Sequence, residues 1–180
     1  MRRVRVVGNS GSGKTTFAGA LAKRLGVTHI ELDAIFWDRD WTFADDDVAQ
    51  ARLRDLLDGE ASDGWVACGN WNNRLGPDGG LLADADAIVW LDYSRRVIMP
   101  RIVRRTVSRA LTRREIWHGN RERPANLLKR SPEDNIIRWS WTQHFAYRER
   151  YARLAAEDPR VIRLRTPREA RRFLAQADPS

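Results

Sequence analysis

The chain has 180 residues, one of them a cysteine, and its 32 Lys and Arg side chains outnumber 24 Asp and Glu. This length fits one compact domain, and a hydrophobic share of 42% supports a buried core, which excludes wholesale disorder. The lone Cys68 excludes a disulfide framework and a multi-cysteine zinc site. No apolar run approaches the roughly 18–20 residues that span a bilayer. The apolar part of the N-terminus is also too short for a signal peptide, so we expect a soluble cytoplasmic protein without a membrane partner.

In chain order, short apolar runs alternate with segments of helical spacing. We predict a strand at 4–7, a helix at 14–25, a strand at 28–32, a helix at 44–58 and strands at 65–68 and 87–91. These are followed by a helix at 95–113 and by a second helix, which Ser131 caps and which ends near Glu157. The last predicted elements are a strand at 161–164 and a helix at 167–175. This alternation predicts an α/β three-layer sandwich with a five-stranded parallel sheet, whose ligands bind at the carboxyl ends of the strands.

A glycine-rich loop follows the first predicted strand. Residues 8–15 read GNSGSGKT and match the phosphate-binding pattern G-x-x-x-x-G-K-[ST], with a strand before it and an amphipathic helix after it. Such glycines let successive N–H groups surround a phosphate, the Lys14 ammonium reaches the outer phosphates, and the Thr15 hydroxyl binds Mg²⁺. We therefore predict ATP and Mg²⁺ as cofactors. The expected nucleotide contacts are Gly8, Asn9, Ser10, Gly11, Ser12, Gly13, Lys14, Thr15 and Thr16.

The rest of the chain favours a small kinase among the enzymes that carry such a loop. An Asn/Thr-Lys-x-Asp guanine-reading motif is absent, and neither strand end at 68 or 92 offers the paired acids of a motor ATPase. Asp33 follows the second predicted strand, where a carboxylate can accept a proton from a substrate hydroxyl or hold a Mg²⁺-bound water. A helix cap is the structural alternative for Asp33. Trp37 and Trp41 predict an aromatic wall for a flat substrate, with core packing as the alternative.

Charge is divided between two stretches of the chain. Residues 31–63 hold 11 acidic and three basic side chains, whereas residues 95–130 hold 12 basic and two acidic ones. Four arginines of the second stretch recur every four residues: Arg101, Arg105, Arg109 and Arg113. The apolar face of the same helix is predicted to comprise Ile98, Ile102, Val103, Val107, Ala110 and Leu111. Aligned guanidiniums repel one another, so we predict an anionic partner, with a solvated basic face as the alternative.

The order of these motifs resembles that of the nucleoside-monophosphate-kinase-like P-loop proteins. Within them it is similar to the branch described as adenylate-kinase-related or DNA topology modulation proteins, over most of the chain. Besides the P-loop, the matching segments are LDAIFW at 32–37, WVACGN at 65–70, IVWLD at 88–92, WHGNRE at 117–122 and IIRWSWTQH at 136–144. The resemblance implies the P-loop NTPase fold of the NMP-kinase type and kinase chemistry, without a particular substrate.

The resemblance also implies roles for individual residues. RIVRRTV at 101–107 is similar to the segment that opens the lid of adenylate kinases, which places Arg101 against the adenine or the phosphates and Arg105 at the transferred phosphoryl group. CGNWNNR at 68–74 stands where adenylate kinases carry DGFPR, which makes Asn70 and Arg74 candidate acceptor contacts. Cys68 then replaces a carboxylate that helps to hold Mg²⁺. Because a thiol is a poor Mg²⁺ ligand, either Asp33 takes over this task or catalysis is weak.

We therefore expect residues 1–180 to form a single P-loop kinase-like domain, with an acceptor-binding segment at about 34–63 and a lid-like segment at about 114–130. Arg121 and Arg123 of the lid-like segment are further candidate phosphate contacts, and the role of His118 stays open. The expected catalytic residues are Lys14, Asp33, Arg101 and Arg105. The expected acceptor contacts are Asp33, Trp37, Asn70, Arg74, Arg109 and Arg121, and the expected metal contacts are Thr15 and Asp33.

The leading hypothesis is a kinase that transfers a phosphoryl group from ATP to a small molecule, with a nucleoside or nucleoside monophosphate as first expectation. The acidic stretch 31–63 is an unusual host for an anionic acceptor, which makes a neutral or cationic acceptor worth testing. The rival is a nucleic-acid-binding ATPase linked to DNA topology, with Trp117, Trp139 and Trp141 as stacking candidates. Burial in a helix face is expected for Trp141, His144 and Phe145. Weak non-specific nucleic-acid binding fits either hypothesis, and a nucleotide-binding protein with little catalysis is a third.

Overall fold

The computed structural model describes residues 1–113, 115–122, 124–127, 129, 131–132 and 135–177. Five parallel strands form one sheet in the order β2-β3-β1-β4-β5. They are β1 (Arg3–Gly8), β2 (Thr28–Glu31), β3 (Trp65–Cys68), β4 (Ala87–Leu91) and β5 (Val161–Leu164). This arrangement confirms the predicted α/β fold, and because all strands run the same way, their carboxyl ends form one edge of the sheet.

Among the described residues, six α-helices lie between the strands or follow the last of them. They are α1 (Lys14–Leu25), α2 (Leu32–Phe36), α3 (Asp46–Asp58), α4 (Arg95–Thr112), α5 (Ile136–Glu157) and α6 (Pro167–Gln176). Short 3₁₀ turns lie at Arg39–Trp41, Pro77–Leu82, Trp117–Gly119 and Pro124–Leu127. Within the described residues, no helix combines the length and the apolar character that crossing a bilayer requires.

Helices cover both faces of the sheet because the strands are apolar on both sides. On one face, Phe17 and Leu21 of α1 pack with Val4 and Val6 of β1, together with Ala170 of α6. The opposite face is covered near β4 by Tyr151 of α5, and near β2 and β3 by α2, α3 and the connection that follows β3. Such burial on both faces is the environment in which continuous apolar runs are used as parallel strands.

The structure corrects two predicted boundaries. The second strand ends at Glu31, so Leu32 and Asp33 belong to the short helix α2 rather than to a strand end. The long helix does not begin at Ser131. It begins at Ile136, where the Asn135 side chain accepts hydrogen bonds from the N–H groups of residues 137 and 138, because Asn is an effective N-cap. Residues 133 and 134, which follow the predicted cap Ser131, and the candidate Arg123 lie outside the described residues.

Two predicted apolar faces are only partly buried. On α4, the core side chains are Ile98, Ile102, Thr106 and Ala110, while the predicted core residues Val103, Val107 and Leu111 are exposed. On α5, His144 is buried as expected, but Trp141 and Phe145 are 51% and 61% exposed, so their expected burial is wrong. The Arg95 guanidinium lies 4.2 Å from each of these two ring centroids. The Trp141 and Phe145 rings therefore contact the Arg95 cation instead of packing in the core.

Candidate active site

The P-loop turns tightly between β1 and α1. Gly8 and Gly11 have φ angles of 144° and 84°, which L side chains rarely adopt. A Cβ atom added to Gly8 would lie 2.7 Å from the Leu91 carbonyl oxygen, and one added to Gly11 would lie 3.0 Å from Ile98. The glycines of the motif therefore fit both the backbone conformation and the close approach of β4 and α4.

Lys14 is folded back over the loop. Its Nζ donates hydrogen bonds to the carbonyl oxygens of Gly8, at 2.8 Å, and Asn9, at 3.2 Å. Burial lowers the pKa of Lys14, and the nearby Asp33 carboxylate opposes this change. The ammonium group is thus positioned at the start of the loop with a carboxylate close by, where an anionic ligand would replace part of its lost solvation.

Two side chains from distant elements brace the loop. Asn9 is buried, and its Nδ2 donates to the Ser140 carbonyl oxygen at 2.9 Å, while the Ser140 hydroxyl donates to the Ser10 carbonyl oxygen at 3.0 Å. Asn70 donates to the Gly8 carbonyl oxygen at 2.8 Å and accepts a hydrogen bond from the Tyr151 hydroxyl at 3.0 Å. The Asn9 side chain therefore faces α5 instead of the cleft, and Asn70 holds the loop in place.

Two buried polar atoms beside the loop lack hydrogen-bond partners among the described residues: the Ser12 hydroxyl and the Arg105 Nε. A buried polar group without a partner is costly, so such atoms mark positions where a ligand completes the hydrogen bonding. Burial and the neighbouring Arg109 both lower the pKa of Arg105. Both effects would be relieved by an anion. The loop therefore fits a phosphate on grounds that are independent of its sequence motif.

The predicted arginine stripe faces the same cleft. Arg101, Arg105, Arg109 and Arg113 all line it. Arg101 donates to the Ser12 carbonyl oxygen at 3.4 Å and lies over the Tyr93 ring, 5.6 Å from its centroid. The stripe therefore lines the cleft that also contains the phosphate-binding loop, with Arg105 and Arg109 half-buried and Arg101 and Arg113 exposed.

Asp33 lines the same cleft, near the carboxyl end of β2. Its Oδ1 accepts a hydrogen bond from Trp71 Nε1 at 2.7 Å. Glu31, two residues earlier, accepts one from Trp117 Nε1 at 3.2 Å. The two carboxylates are thus oriented by indole groups from different segments. Trp71 is a positioning residue that the sequence analysis missed, although its place directly after Asn70 in the candidate acceptor loop was a usable signal.

An aromatic cluster forms the wall beside Asp33. The Trp37 ring stacks on Phe43 with centroids 4.4 Å apart and meets the edges of Trp41 and Trp71, each at 5.7 Å. Five of the eight tryptophans line the cleft: Trp37, Trp41, Trp71, Trp117 and Trp139. The cleft thus contains an aromatic cluster larger than the two residues that the sequence indicated, and its use as a wall for a flat substrate stays a prediction.

Residues 115–122 dock onto the segment that follows β2. Asn120, which is buried, accepts a hydrogen bond from the Trp41 N–H at 2.9 Å and donates to the Asp38 carbonyl oxygen at 2.7 Å. His118 Nε2 lies 2.7 Å from the Ala34 carbonyl oxygen, and Trp41 Nε1 donates to the Arg121 carbonyl oxygen at 3.3 Å. Asp40, Trp41 and His118 have positive φ angles of 55° to 56°. These contacts tie the two segments together across the cleft.

Arg74 is the predicted acceptor contact that the structure places elsewhere. Its guanidinium pairs with Asp46, donates to the Ala44 carbonyl oxygen and lies 5.3 Å from the Phe43 ring centroid. It does not line the cleft. This corrects the expectation for Arg74, because the arginine serves to join α3 to the connection after β3. A neighbouring acid and aromatic rings, all separated from it in sequence, determine this orientation.

Cys68 lies behind the loop, at the end of β3. Its sulfur is 3.9 Å from the Thr15 hydroxyl and 3.5 Å from His29 Nε2. Burial raises the pKa of this thiol from its ordinary value of 9.0 to about 12. Burial also lowers the pKa of His29. The thiol is therefore protonated at neutral pH and packs as a small apolar side chain.

The oxygen atoms around Thr15 fit a Mg²⁺ ion bound mainly through phosphates. Thr15 offers an exposed hydroxyl, and the Asp33 carboxylate lines the same cleft with one oxygen that accepts no hydrogen bond from the described residues. No group of three His, Cys, Asp or Glu side chains within the described ranges forms a metal cluster. Mg²⁺ in phosphate-transfer sites commonly uses one or two protein oxygens together with phosphates and waters.

The cleft has a volume of about 2360 Å³. Pockets for one small ligand measure about 300–1,000 Å³, so this cleft has room for a nucleotide and a second molecule. Of the predicted site residues, all line it except Gly8, Asn9 and Arg74. At its far end, beyond Thr16, the lining comes from Phe17, Pro167, Arg171 and other residues of α1 and α6.

Comparison with known proteins supports the fold. No family model and no curated protein matches the chain, so the likeness to the DNA topology modulation branch stays a hypothesis. Among solved structures, shikimate kinase from Bacteroides thetaiotaomicron is similar over 97% of this chain and 95% of its own, with a TM-score of 0.52 and 15% sequence identity. The chain therefore has the α/β P-loop NTPase fold of shikimate kinase, built on a five-stranded parallel sheet.

Proposed function

We propose that this protein transfers the terminal phosphoryl group of ATP to a hydroxyl group of a small molecule. The observation that carries the proposal is one cleft, with room for two ligands, that is lined by the P-loop, the arginine stripe and the Asp33 carboxylate. Phosphoryl transfer requires positioning and charge stabilisation more than covalent chemistry, and this cleft offers groups for both.

In the proposed reaction, Lys14 and the loop N–H groups hold the outer phosphates of ATP. A hydroxyl oxygen of the acceptor attacks the terminal phosphorus, the bond from that phosphorus to the bridging oxygen breaks, and ADP leaves. Asp33 accepts the hydroxyl proton, while Arg101 and Arg105 stabilise the charge on the moving phosphoryl group. Mg²⁺, held by Thr15 and Asp33 with the phosphates, would neutralise phosphate charge.

The nucleoside half of ATP is assigned to the far end of the cleft. Arg101 lies there beside Tyr93, and Pro167 and Arg171 line the opposite side. Flat guanidinium and apolar surfaces suit a nucleobase. This placement leaves the aromatic wall at Trp37 and the carboxylates Glu31 and Asp33 for the acceptor. The acceptor-binding and lid-like roles of residues 34–63 and 114–130 are part of the proposal.

A panel of nucleosides, nucleoside monophosphates and small alcohols tests this function by ADP release in the presence of ATP and Mg²⁺. At least one acceptor should raise ADP release well above hydrolysis. Lys14→Ala should lower that acceptor-dependent rate by about a hundredfold or more, because the phosphates lose their cation. Thermal unfolding of the variant checks that the fold persists. If every acceptor leaves ADP release at the hydrolysis background, the kinase proposal fails, and retained ATP binding would then favour a nucleotide-binding protein with little catalysis.

A nucleic-acid-binding ATPase is the second candidate, supported by one surface feature. Trp141 and Phe145 expose aromatic rings on α5 with Arg95 between them, outside the cleft. Exposed aromatic side chains beside cations are suited to stacking on single-stranded bases. Trp117 and Trp139 line the cleft instead, which removes two of the three stacking candidates from the outer surface.

A further inference from the structure

The acceptor end of the cleft carries carboxylates without cation partners. Glu31 and Asp33 are half-buried, and neither forms an ion pair with any residue in the described part of the chain. Asp33 lies close enough to Lys14 and Arg105 to affect both pKa values. Glu31 accepts a hydrogen bond from the Trp117 indole. The base that it affects is His29, whose pKa burial lowers from its ordinary 6.5, so this imidazole is neutral at pH 7 and offers no cation. Glu31 is therefore the carboxylate whose charge is left for a ligand.

The arginines that could bind an anionic acceptor are largely engaged. Arg109 pairs with Glu122 at 3.3 Å, and Arg121 pairs with Glu115 at 3.4 Å. Arg74 is held outside the cleft by Asp46. Arg101 and Arg105 lie on the P-loop side, where the phosphates of ATP need them. Arg39 and Arg113 line the cleft but are exposed, so solvent screens their charges.

Indole groups line the cleft that also holds this carboxylate. Trp117 lies against Glu31, and Trp37 and Trp41 line the same cleft at right angles to each other. An ammonium group is attracted to the face of an aromatic ring, and the attraction is strongest for Trp. A carboxylate together with several aromatic faces therefore forms a site suited to an organic cation and unsuited to a phosphate or carboxylate.

We infer that the acceptor is a hydroxyl-bearing organic amine, bound in its protonated form. This inference rests on the proposed kinase function and names the class of its acceptor. The ammonium group lies at Glu31 among the indoles, and the hydroxyl lies at Asp33. The hydroxyl oxygen then bonds to the terminal phosphorus of ATP, the proton passes to Asp33, and ADP is the leaving group. The amine takes no part in bond making and serves to orient the acceptor.

Binding of two matched series tests the inference without relying on turnover. The first series is phenylalaninol, N-acetylphenylalaninol and phenyllactate, and the second is glucosamine, N-acetylglucosamine and glucuronate. Each series keeps one body and one or more hydroxyls while its charge changes from positive to neutral to negative. Tryptophan fluorescence reports binding, because five of the eight tryptophans line the cleft. In at least one series the amine should bind about tenfold more tightly than both of its counterparts.

Two variants locate the effect. Glu31→Gln keeps an oxygen to accept the Trp117 hydrogen bond but removes the charge, so amine binding should weaken about tenfold while ATP binding stays unchanged. Glu60→Gln is the matched control, since Glu60 is an exposed acid of the same acidic stretch and lies outside the cleft. It should leave amine binding unchanged. Equal losses in the two variants would mean that the general negative field, and not this site, attracts amines, which overturns the inference.

The outcomes separate the inference from the function on which it rests. If neither amine binds more tightly than its neutral and anionic counterparts, the assignment of a cationic acceptor is overturned, whatever the kinase activity. If a nucleoside monophosphate or another anion is phosphorylated in preference to every amine, the kinase function stands and the assignment falls. If amines bind selectively but no compound in either series or in the wider panel raises ADP release, the proposed function fails while the cation site stands.

Discussion

At the residue scale, Arg105 differs from the neighbouring arginine on the same helix in its burial and in its place at the cleft. It is half-buried, its Nε has no hydrogen-bond partner in the described part of the chain, and burial lowers its pKa. Arg104 is its exposed neighbour on the same helix. The two residues have the same charge and almost the same position in the sequence, but only Arg105 lines the cleft.

We expect Arg105→Met to lower kcat by about a hundredfold, because the transition state loses a guanidinium in a site shielded from water. The KM for ATP should change little, since Lys14 and the loop hold the phosphates. Arg104→Met removes the same charge from the surface and should leave kcat within about twofold. Steady-state kinetics with the best acceptor of the panel measure both variants. Similar losses in the two variants would point to overall charge and contradict a contact role for Arg105.

Cys68 gives a chemical prediction of known sign. Its pKa of about 12, against an ordinary 9.0, means that the native protein contains about a thousandfold less thiolate at neutral pH than a free cysteine. Alkylation by iodoacetamide should therefore be slower by about that factor. It should accelerate about tenfold for each unit of pH while the fold persists. Mass spectrometry measures the rate, and the chain unfolded in guanidinium is the control. Rapid labelling of the native protein would contradict a pKa that burial raises.

Sequence reasoning at this scale was most informative where backbone geometry fixes the direction of a side chain. Residues 10–15 of the loop, including Lys14, and the arginine stripe line the cleft because a glycine turn and a four-residue helical period fix their directions. Arg74 and Asn9 were assigned to the ligand and instead contact Asp46 and Ser140. Their partners lie 28 and 131 residues away in the sequence, so no local pattern indicates which way these side chains turn.

At the scale of elements, the Asn120 amide makes two of the hydrogen bonds that join the segments flanking the cleft. Asn120 contacts both the Trp41 N–H and the Asp38 carbonyl oxygen, and the backbone around it uses left-handed residues that are not glycine. Such backbone conformations cost energy and persist where surrounding contacts maintain them. The docking of residues 115–122 should therefore depend strongly on this side chain.

Asn120→Ala should lower the free energy of unfolding by about 2 kcal/mol, because two hydrogen bonds are lost and a buried N–H is left without a partner. Trypsin should also cleave after Arg121 faster than in the parent protein. Asn73→Ala is the control: Asn73 is exposed and accepts one hydrogen bond, from Arg150 at 2.7 Å, so its loss should cost less than about 0.5 kcal/mol. Urea unfolding and timed proteolysis measure both effects. An unchanged cleavage rate in Asn120→Ala would contradict this account of the docking.

The elements themselves were predicted to within a few residues because their patterns are local. Three strands, β3, β4 and β5, have the predicted bounds. Helix α2 was missed because five residues carry too little periodicity to distinguish them from a strand end. The start of α5 was placed at Ser131 because Ser-Pro-Glu-Asp resembles a helix start, whereas Asn135 forms the cap. The exposed apolar residues of α4 and α5 show that periodicity identifies a face without saying what covers it.

At the scale of the whole molecule, the charge polarity of the chain becomes a division of the cleft. The basic stretch supplies the arginines of the stripe that lines the cleft, and the acidic stretch supplies Glu31 and Asp33 of the same cleft. The arginines that line the cleft thus account for part of the basic excess without a role in DNA binding. A basic protein of this kind still attracts polyanions through its overall field.

We expect binding to single-stranded and duplex DNA to be weak and to disappear by roughly 0.2 M salt, as non-specific attraction does. Fluorescence anisotropy with labelled oligonucleotides measures this dependence on salt. Because we expect the exposed aromatic pair not to stack on bases, Trp141→Ala should leave the affinity for single-stranded DNA unchanged. Binding that survives physiological salt and weakens about tenfold in Trp141→Ala would instead support the nucleic-acid-binding ATPase.

The contact between Asn9 and Ser140 has a consequence for related sequences. It joins the second residue of the phosphate loop to a helix 131 positions later, and both side chains are buried. The protein loses more stability when one partner of a buried hydrogen bond is removed than when both partners are replaced together. The two positions should therefore change jointly during evolution. A chain with a hydrophobic residue in place of Asn9 should also lack the hydroxyl at 140, so this pair would identify the relatives that brace their loop in the same way.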